Sequence, residues 1–324
     1  MRTATPRPHG APREVAGLCD ILAYVRIGIT LALAVAALLA ACAAPKGDPT
    51  PSQPPVPTED PAISRLVPEG VRRDGQLTVA TDPTYPPLSF VSPDGQVQGA
   101  EIDLVAAIAT VLGLQPQFEE EAFTAIPAAV RTGRYELGVA GLAIRPDQRL
   151  LNNAVIYLRA GSQLVRSASA PNLTRQTLCG EEVAAVEGSV QIEELVKTSR
   201  TCRSVGQPSV AIQPAASPET ATESVLAGRV AGFLADSPVS QDIISRYPGE
   251  LAEASRIYDV LPLGMLTAAE YTRFTRAVRL ALQQLIDSGY YAATLDKWNV
   301  DQGAVKSAQV RWADYTKRGK RKGK

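Results

Sequence analysis

Histidine occurs once in the 324 residues, at position 9, and that scarcity excludes whole classes of chemistry. Ser-His-Asp and Cys-His machinery both need an imidazole, and zinc sites built on histidine need several. Any acid–base work beyond residue 9 falls to Asp, Glu, Lys or Tyr. Cysteine is also sparse, with four residues at 19, 42, 179 and 202. The apolar run Ile27–Ala41 has 15 residues, short of the roughly 20 that a membrane-spanning helix needs. Excess positive charge is missing too: 33 cations face 33 anions, a balance that argues against a nucleic-acid partner.

What is there begins with a leader. Arg2, Arg7, Arg13 and Arg26 precede the run Ile27–Ala41, which gives a basic n-region, a short h-region and a small-residue end. Leu39-Ala40-Ala41-Cys42 resembles a bacterial lipobox, which implies cleavage before Cys42 and lipid on its sulfur. The expectation is a signal peptide over 1–41 and a protein held by Cys42 on the extracytoplasmic face of the membrane; the alternative is an uncleaved signal anchor. Two acyl chains on one cysteine meet the requirement for stable membrane residence. Losing residues 1–41 removes four arginines, Glu14 and Asp20, leaving a net charge near −2. In an oxidising compartment the remaining pair, Cys179 and Cys202, favours a disulfide over two separate buried thiols. It would close a loop of about 24 residues and contribute roughly 3 kcal/mol.

Composition then divides the chain. Residues 42–70 carry Pro45, Pro49, Pro51, Pro54, Pro55, Pro57, Pro61 and Pro68, and such a stretch reads as an extended tether. Residues 302–324 read as a basic C-terminal tail, with six cations in Lys317–Lys324. That run is a solvated tail or a weak attachment to anionic lipid or wall polymer. Between them, strand and helix patterns alternate. Leu77–Ala80, Gln117–Glu119, Tyr135–Ala140, Gln163–Val165, Glu182–Val186 and Arg229–Ala235 read as strands. Helices are expected over Glu101–Gly113, Ile126–Thr132 and Val190–Val196, and from Pro238. A longer helix is placed from Thr267, with Glu270 completing a capping box and Tyr271, Phe274, Val278, Leu282 and Leu285 as its apolar stripe. This βα alternation predicts an α/β fold with one or two mostly parallel sheets covered by helices.

In such sheets ligands bind at the carboxyl ends of strands. Three ends carry suggestive residues: Asp82 to Pro87, Gly138 to Arg149, and Ala235-Asp236-Ser237-Pro238. Gly141 leaves backbone that a ligand can approach, and Arg149 suits a carboxylate. Ser237 and Pro238 fit the start of a helix, which leaves Asp236 at a strand tip or in a local cap. A helix opening at Ser189 offers free N–H groups to an anion.

In order along the chain, these pieces resemble family 3 of the extracytoplasmic solute-binding proteins, the polar amino-acid receptors of ABC importers, from about Asp74 to Val300. Leu77–Pro87 is similar to that family's opening strand and first ligand loop. Gly99-Ala100-Glu101-Ile102-Asp103-Leu104 is similar to its Gly-Phe-Asp-x-Asp-Leu helix start. Ala140-Gly141-Leu142-Ala143-Ile144, Gly188-Ser189-Val190-Gln191, Ala235-Asp236-Ser237, Asp287-Ser288-Gly289-Tyr290 and Lys297-Trp298 match later segments. The resemblance implies a two-lobed type II clamshell with two hinge-crossing strands. Lobe 1 would hold 71–163 plus 259–301, and lobe 2 would hold 164–258. It implies a small polar solute, an amino acid, as ligand, with Asp236 on its ammonium. Its carboxylate would meet the amides of Gly141–Ala143, Ser189 and an arginine. Asp82 and Ala140 belong to the same site, and Tyr85 and Phe123 would flank the side chain. The partners implied are an ABC permease and its ATPase, for a monomeric receptor without cofactor or turnover.

Several positions depart from the pattern. Ala143 stands where a Thr or Ser is usual. The arginine position is Gln148, with Arg149 one residue later and Arg145 as another candidate. Leu88 replaces a common Phe. Two other readings share the fold: a receptor that reports to a membrane signalling partner, and a clamshell dehydratase, for which the consecutive acids Glu119–Glu121 would have to reach the cleft.

Overall fold

Ten of the strands assemble into one sheet in the computed structural model, which describes residues 54–170 and 172–314. β1 (Gln76–Thr81) is followed by a small antiparallel sheet of β2 (Thr84–Tyr85), β3 (Ser89–Val91) and β4 (Val97–Gln98). β5 (Gln115–Glu120) and β6 (Leu137–Gly138) flank β1 in parallel. β7 (Asn152–Ser167) is the longest strand. β8 (Glu182–Val186), β9 (Ala211–Ala215) and β10 (Gly232–Asp236) form a second parallel set. β11 (Leu251–Glu253), β12 (Tyr258–Ala268) and β13 (Ala304–Arg311) all pair antiparallel with β7. The main order is β5-β1-β6-β12-β7-β10-β8-β9.

β7 and β12 therefore join two parallel sets into a two-lobed clamshell. The first half of β7 pairs with β12 and β13, and its second half pairs with β10 and β11. In the first lobe, α3 (Ala100–Val111), α8 (Thr272–Asp287) and α9 (Tyr290–Lys297) bury Leu104, Ile108, Phe274, Leu282 and Leu295 against Leu77 and Val79 of β1. α4 (Ile126–Arg131) covers the other face with Ile126 and Val130. In the second lobe β10, antiparallel to β7 and parallel to β8, is covered on both faces. Its Phe233 and Ala235 join Val225 of α6 (Pro218–Leu226) and Ile243 of α7 (Ser237–Arg246). Its Leu234 joins Leu195 and Cys202 of α5 (Val190–Ser204).

Three expectations need correction. The Pro-rich tether does not run to 70. Asp60 accepts from the N–H groups of Ala62 and Ile63 and starts α1 (Pro61–Ser64), and α2 (Glu69–Arg72) follows. Ile63, Val67 and Val71 are buried in the first lobe, because a proline at a helix start removes only an N–H that has no partner there. The tail does not begin at 302, since β13 lies on β7 and its Ala308 is buried. Thr267 does not open the long helix. It is buried at the end of β12, its hydroxyl paired with that of Thr275, and α8 starts at Thr272. The leader, Cys42 and Lys317–Lys324 lie outside the described residues. Cys179 and Cys202 are disulfide-bonded, which ties the loop before β8 to α5. Among the described residues no helix is long and apolar enough to cross a membrane.

Candidate functional site

A cavity of 340 Å³ opens where the carboxyl ends of the two parallel sets face each other. Asp82, Tyr85, Phe123, Ala140, Gly141, Ala143, Gln148, Arg149, Ser189 and Asp236 all line it. They come from both lobes and from positions up to 154 residues apart.

Asp236 ends β10 and is 5% exposed. Its Oδ2 accepts from the Tyr85 hydroxyl at 2.8 Å and its Oδ1 from Gln191 Nε2 at 2.9 Å. Burial raises its pKa above the ordinary aspartate range, and those two hydrogen bonds oppose the rise. Burial first, and then the Asp236 charge, push the Tyr85 phenol well above its usual value. Tyr85 is thus more than a wall for a side chain: its hydroxyl reaches from the first lobe onto the carboxylate of the second. Gln191 lies in the first turn of α5, and a polar residue two places after Ser189 at a helix start is the sequence signal for it.

The segment after β6 approaches the cavity through its backbone. Gly141 has φ +62°, and a Cβ there would sit 2.9 Å from Tyr85 Cε1, so glycine answers both the dihedral and the space. The N–H of Gly141 donates to Glu101 Oε1 at 2.7 Å, and that of Ile144 to Pro262 O at 2.8 Å. Gly264 N donates to Leu142 O at 2.9 Å. The expected use of the Gly141 amide for a carboxylate is therefore corrected, because Glu101 already holds it. The amides of Leu142 and Ala143 remain for the cavity.

Opposite stands the start of α5. Ser189 is its N-cap but makes no side-chain cap bond, and its Oγ is buried without a hydrogen-bond partner. The first N–H groups of a helix lack intrahelical acceptors and carry partial positive charge. Asp82 plays a supporting part: Oδ2 accepts from Phe123 N at 2.9 Å and Oδ1 from Thr84 Oγ1 at 2.7 Å, which fixes the loop that carries Phe123. Gln148 and Arg149 lie at the exposed rim. Arg145 also lines the cavity, where it is ion-paired with Glu193 on α5 and with Asp147. Gly188 comes so near the first lobe that a Cβ would lie 2.5 Å from Thr124 Cγ2. Tyr85–Asp236, Arg145–Glu193 and Gly188–Thr124 thus all bridge the cleft.

A buried anion, an unsatisfied helix start and free amides around one cleft between two hinged lobes define a solute-binding clamshell. The sequence matches the profile of the bacterial extracellular solute-binding proteins, family 3, over residues 77–301, and the chain belongs to that family. It is 29% identical over 267 residues to the arginine-binding protein ArgT of Corynebacterium glutamicum, covering 82% of this chain and 88% of that one. It is 30% identical over 240 residues to the membrane-bound lytic murein transglycosylase F of Maricaulis maris, covering 71% of this chain and 48% of that one. In fold it is similar to an ABC uptake transporter substrate-binding protein from Streptococcus pneumoniae with bound histidine. The TM-score is 0.67 at 17% identity, over 74% of this chain and 98% of that one.

Proposed function

We propose that the protein is a receptor that captures an amino acid outside the cytoplasm and delivers it to an ABC permease and its ATPase. The observation that carries this reading is the pairing of opposite electrostatics across one 340 Å³ cavity: the Asp236 carboxylate on one side, and the α5 start with the Leu142 and Ala143 amides on the other. A zwitterion matches both. Asp236 takes the ammonium. Ser189, the α5 N–H groups and the two free amides take the carboxylate, with Arg149 at the rim as a further cation. Tyr85 and Phe123 flank the side chain. A cavity of this size suits a small ligand, and relatives named for arginine binding and solved with histidine support the class.

The hinge falls in β7 and β12, between 163 and 164 and between 258 and 259, close to the irregular pairing of Tyr258–Leu261 with Ala160–Ser162. The segments 60–72 and 304–311 go with lobe 1. Asp236 and its partners serve binding, so no turnover is expected, and the Maricaulis relative's named activity is not carried over from a match spanning less than half of it. Anchoring through a lipid on Cys42, and action as a monomer, complete the proposal.

The test is a thermal-shift panel of the purified protein with each of the twenty standard L-amino acids, arginine and histidine first. At 100 times its dissociation constant a ligand adds about 2.7 kcal/mol of stability. A shift with a few amino acids that Asp236→Ala abolishes is the expected result. No shift with any of them, on a protein that melts cooperatively, refutes the amino-acid reading.

A further inference from the structure

Among the described residues, one buried carboxyl lies outside the cleft machinery. Glu101 sits in the first turn of α3 and is fully buried. Its Oε1 accepts from Gly141 N and from the Tyr157 hydroxyl, while Oε2 has no hydrogen-bond partner. Tyr157 belongs to β7 and Gly141 to the cavity-lining segment, so a single oxygen ties helix, crossing strand and ligand loop together. The titratable groups acting on Glu101 are Tyr157, Tyr85 and Asp236, and no lysine or arginine is among them. Such a carboxylate is expensive to bury, and an apolar residue in its place would leave the buried Gly141 N–H and Tyr157 hydroxyl without that acceptor.

We propose that Glu101 is a positioning residue for solute capture: by holding the Gly141 N–H it sets the loop whose Leu142 and Ala143 amides line the cleft, and its negative charge strengthens the cleft floor for a cationic group. This rests on the amino-acid reading above. Burial raises the Glu101 pKa to about 7, against the opposing hydrogen bonds from Tyr157 and Gly141. The charge is therefore largely absent at pH 6 and present at pH 8. Affinity for an ammonium bound at Asp236 should rise across that interval, and the bound cation should in turn favour loss of the Glu101 proton.

The test has one arm without ligand and one with L-arginine as the probe. In the ligand-free protein the Gly141 amide resonance should titrate with a midpoint near neutrality; Glu101→Gln should abolish this, and Glu101→Ala should speed exchange of that amide about tenfold or more. With L-arginine, calorimetry should show affinity rising several-fold from pH 6 to 8 in the wild type. The profile should be flat in Glu101→Gln, and affinity should fall about tenfold in Glu101→Ala, the loss of one charged hydrogen bond. A Gly141 amide blind to pH and unchanged in both variants overturns the proposal. So do variants that melt earlier yet bind with unaltered affinity and pH profile, since that is a merely structural role. A wild type that ignores L-arginine while its Gly141 amide titrates upholds the positioning of the loop and counts against the arginine reading alone.

Discussion

Glutamine in place of Glu101 should make the protein more stable above neutral pH. An ordinary glutamate titrates near 4.5 and Glu101 near 7. The folded state therefore keeps a proton that the unfolded chain has already released. A carboxyl raised in this way contributes its full stability below pH 4.5, loses it progressively as pH rises to 7, and is level above that. At 1.36 kcal/mol per pH unit the loss amounts to about 3 kcal/mol, which for a chain of this size corresponds to roughly 6–12 °C in melting temperature. Asp236, also raised by burial, works in the same direction. The sole histidine is at position 9, so no imidazole among the described residues titrates in this window to obscure the effect. The assay is calorimetric melting of the ligand-free protein from pH 5 to 8.5. The wild type should lose stability across the range. Glu101→Gln should show a much flatter profile and melt above the wild type at pH 8. Parallel profiles for the two proteins, or a wild type indifferent to pH, would refute the argument from burial.

Two further outcomes follow from neighbouring contacts. Tyr85→Phe removes the cross-lobe hydrogen bond to Asp236, a charged bond of about 1.5–3 kcal/mol; affinity for the solute should drop about tenfold or more, mainly through faster dissociation seen by stopped flow. Replacing Cys179 and Cys202 together by serine opens a loop with a sequence separation of 23 and should lower stability by about 3 kcal/mol; neither cysteine lines the cleft, so the dissociation constant should stay within twofold.

Much of this arrangement is legible in the residues because the chain obeys local rules where it turns toward the cleft. β1, α3 and β8 announce themselves by apolar pattern and by Gly113 as a stop, and the ten site positions fall at strand ends or loop tips. The crossing strands are harder to read. Thirteen of the sixteen β7 positions are buried, so the alternation that marks a half-exposed strand is missing. Within β12, Pro262 and Gly264 look like breakers yet sit where Ile144 and Leu142 bond to the strand. Thr267 and Glu270 imitate a capping box in a strand end. The role of Glu101 was hidden for another reason: an acid in the first turn of a helix ordinarily serves the helix dipole in water, and only the fold reveals that this one is enclosed. The commitment of Arg145 to Glu193 likewise depends on lobe closure, which no sequence interval encodes.

Both ends of the folded unit belong to the same lobe. α1 packs on α8 and α2 on β1, and Asp60 N bonds to Val111 O at the end of α3. β13 lies on the first half of β7, and Asp314 N bonds to Leu150 O. On the hinge proposed above, whatever restrains either end grips the first lobe, and the second, entered and left through the crossing strands, is the one left to move. A surface that recognises the closed form would then see the disulfide-braced lobe arrive against a stationary one, so the direction of the motion is set by where the chain enters and leaves the clamshell.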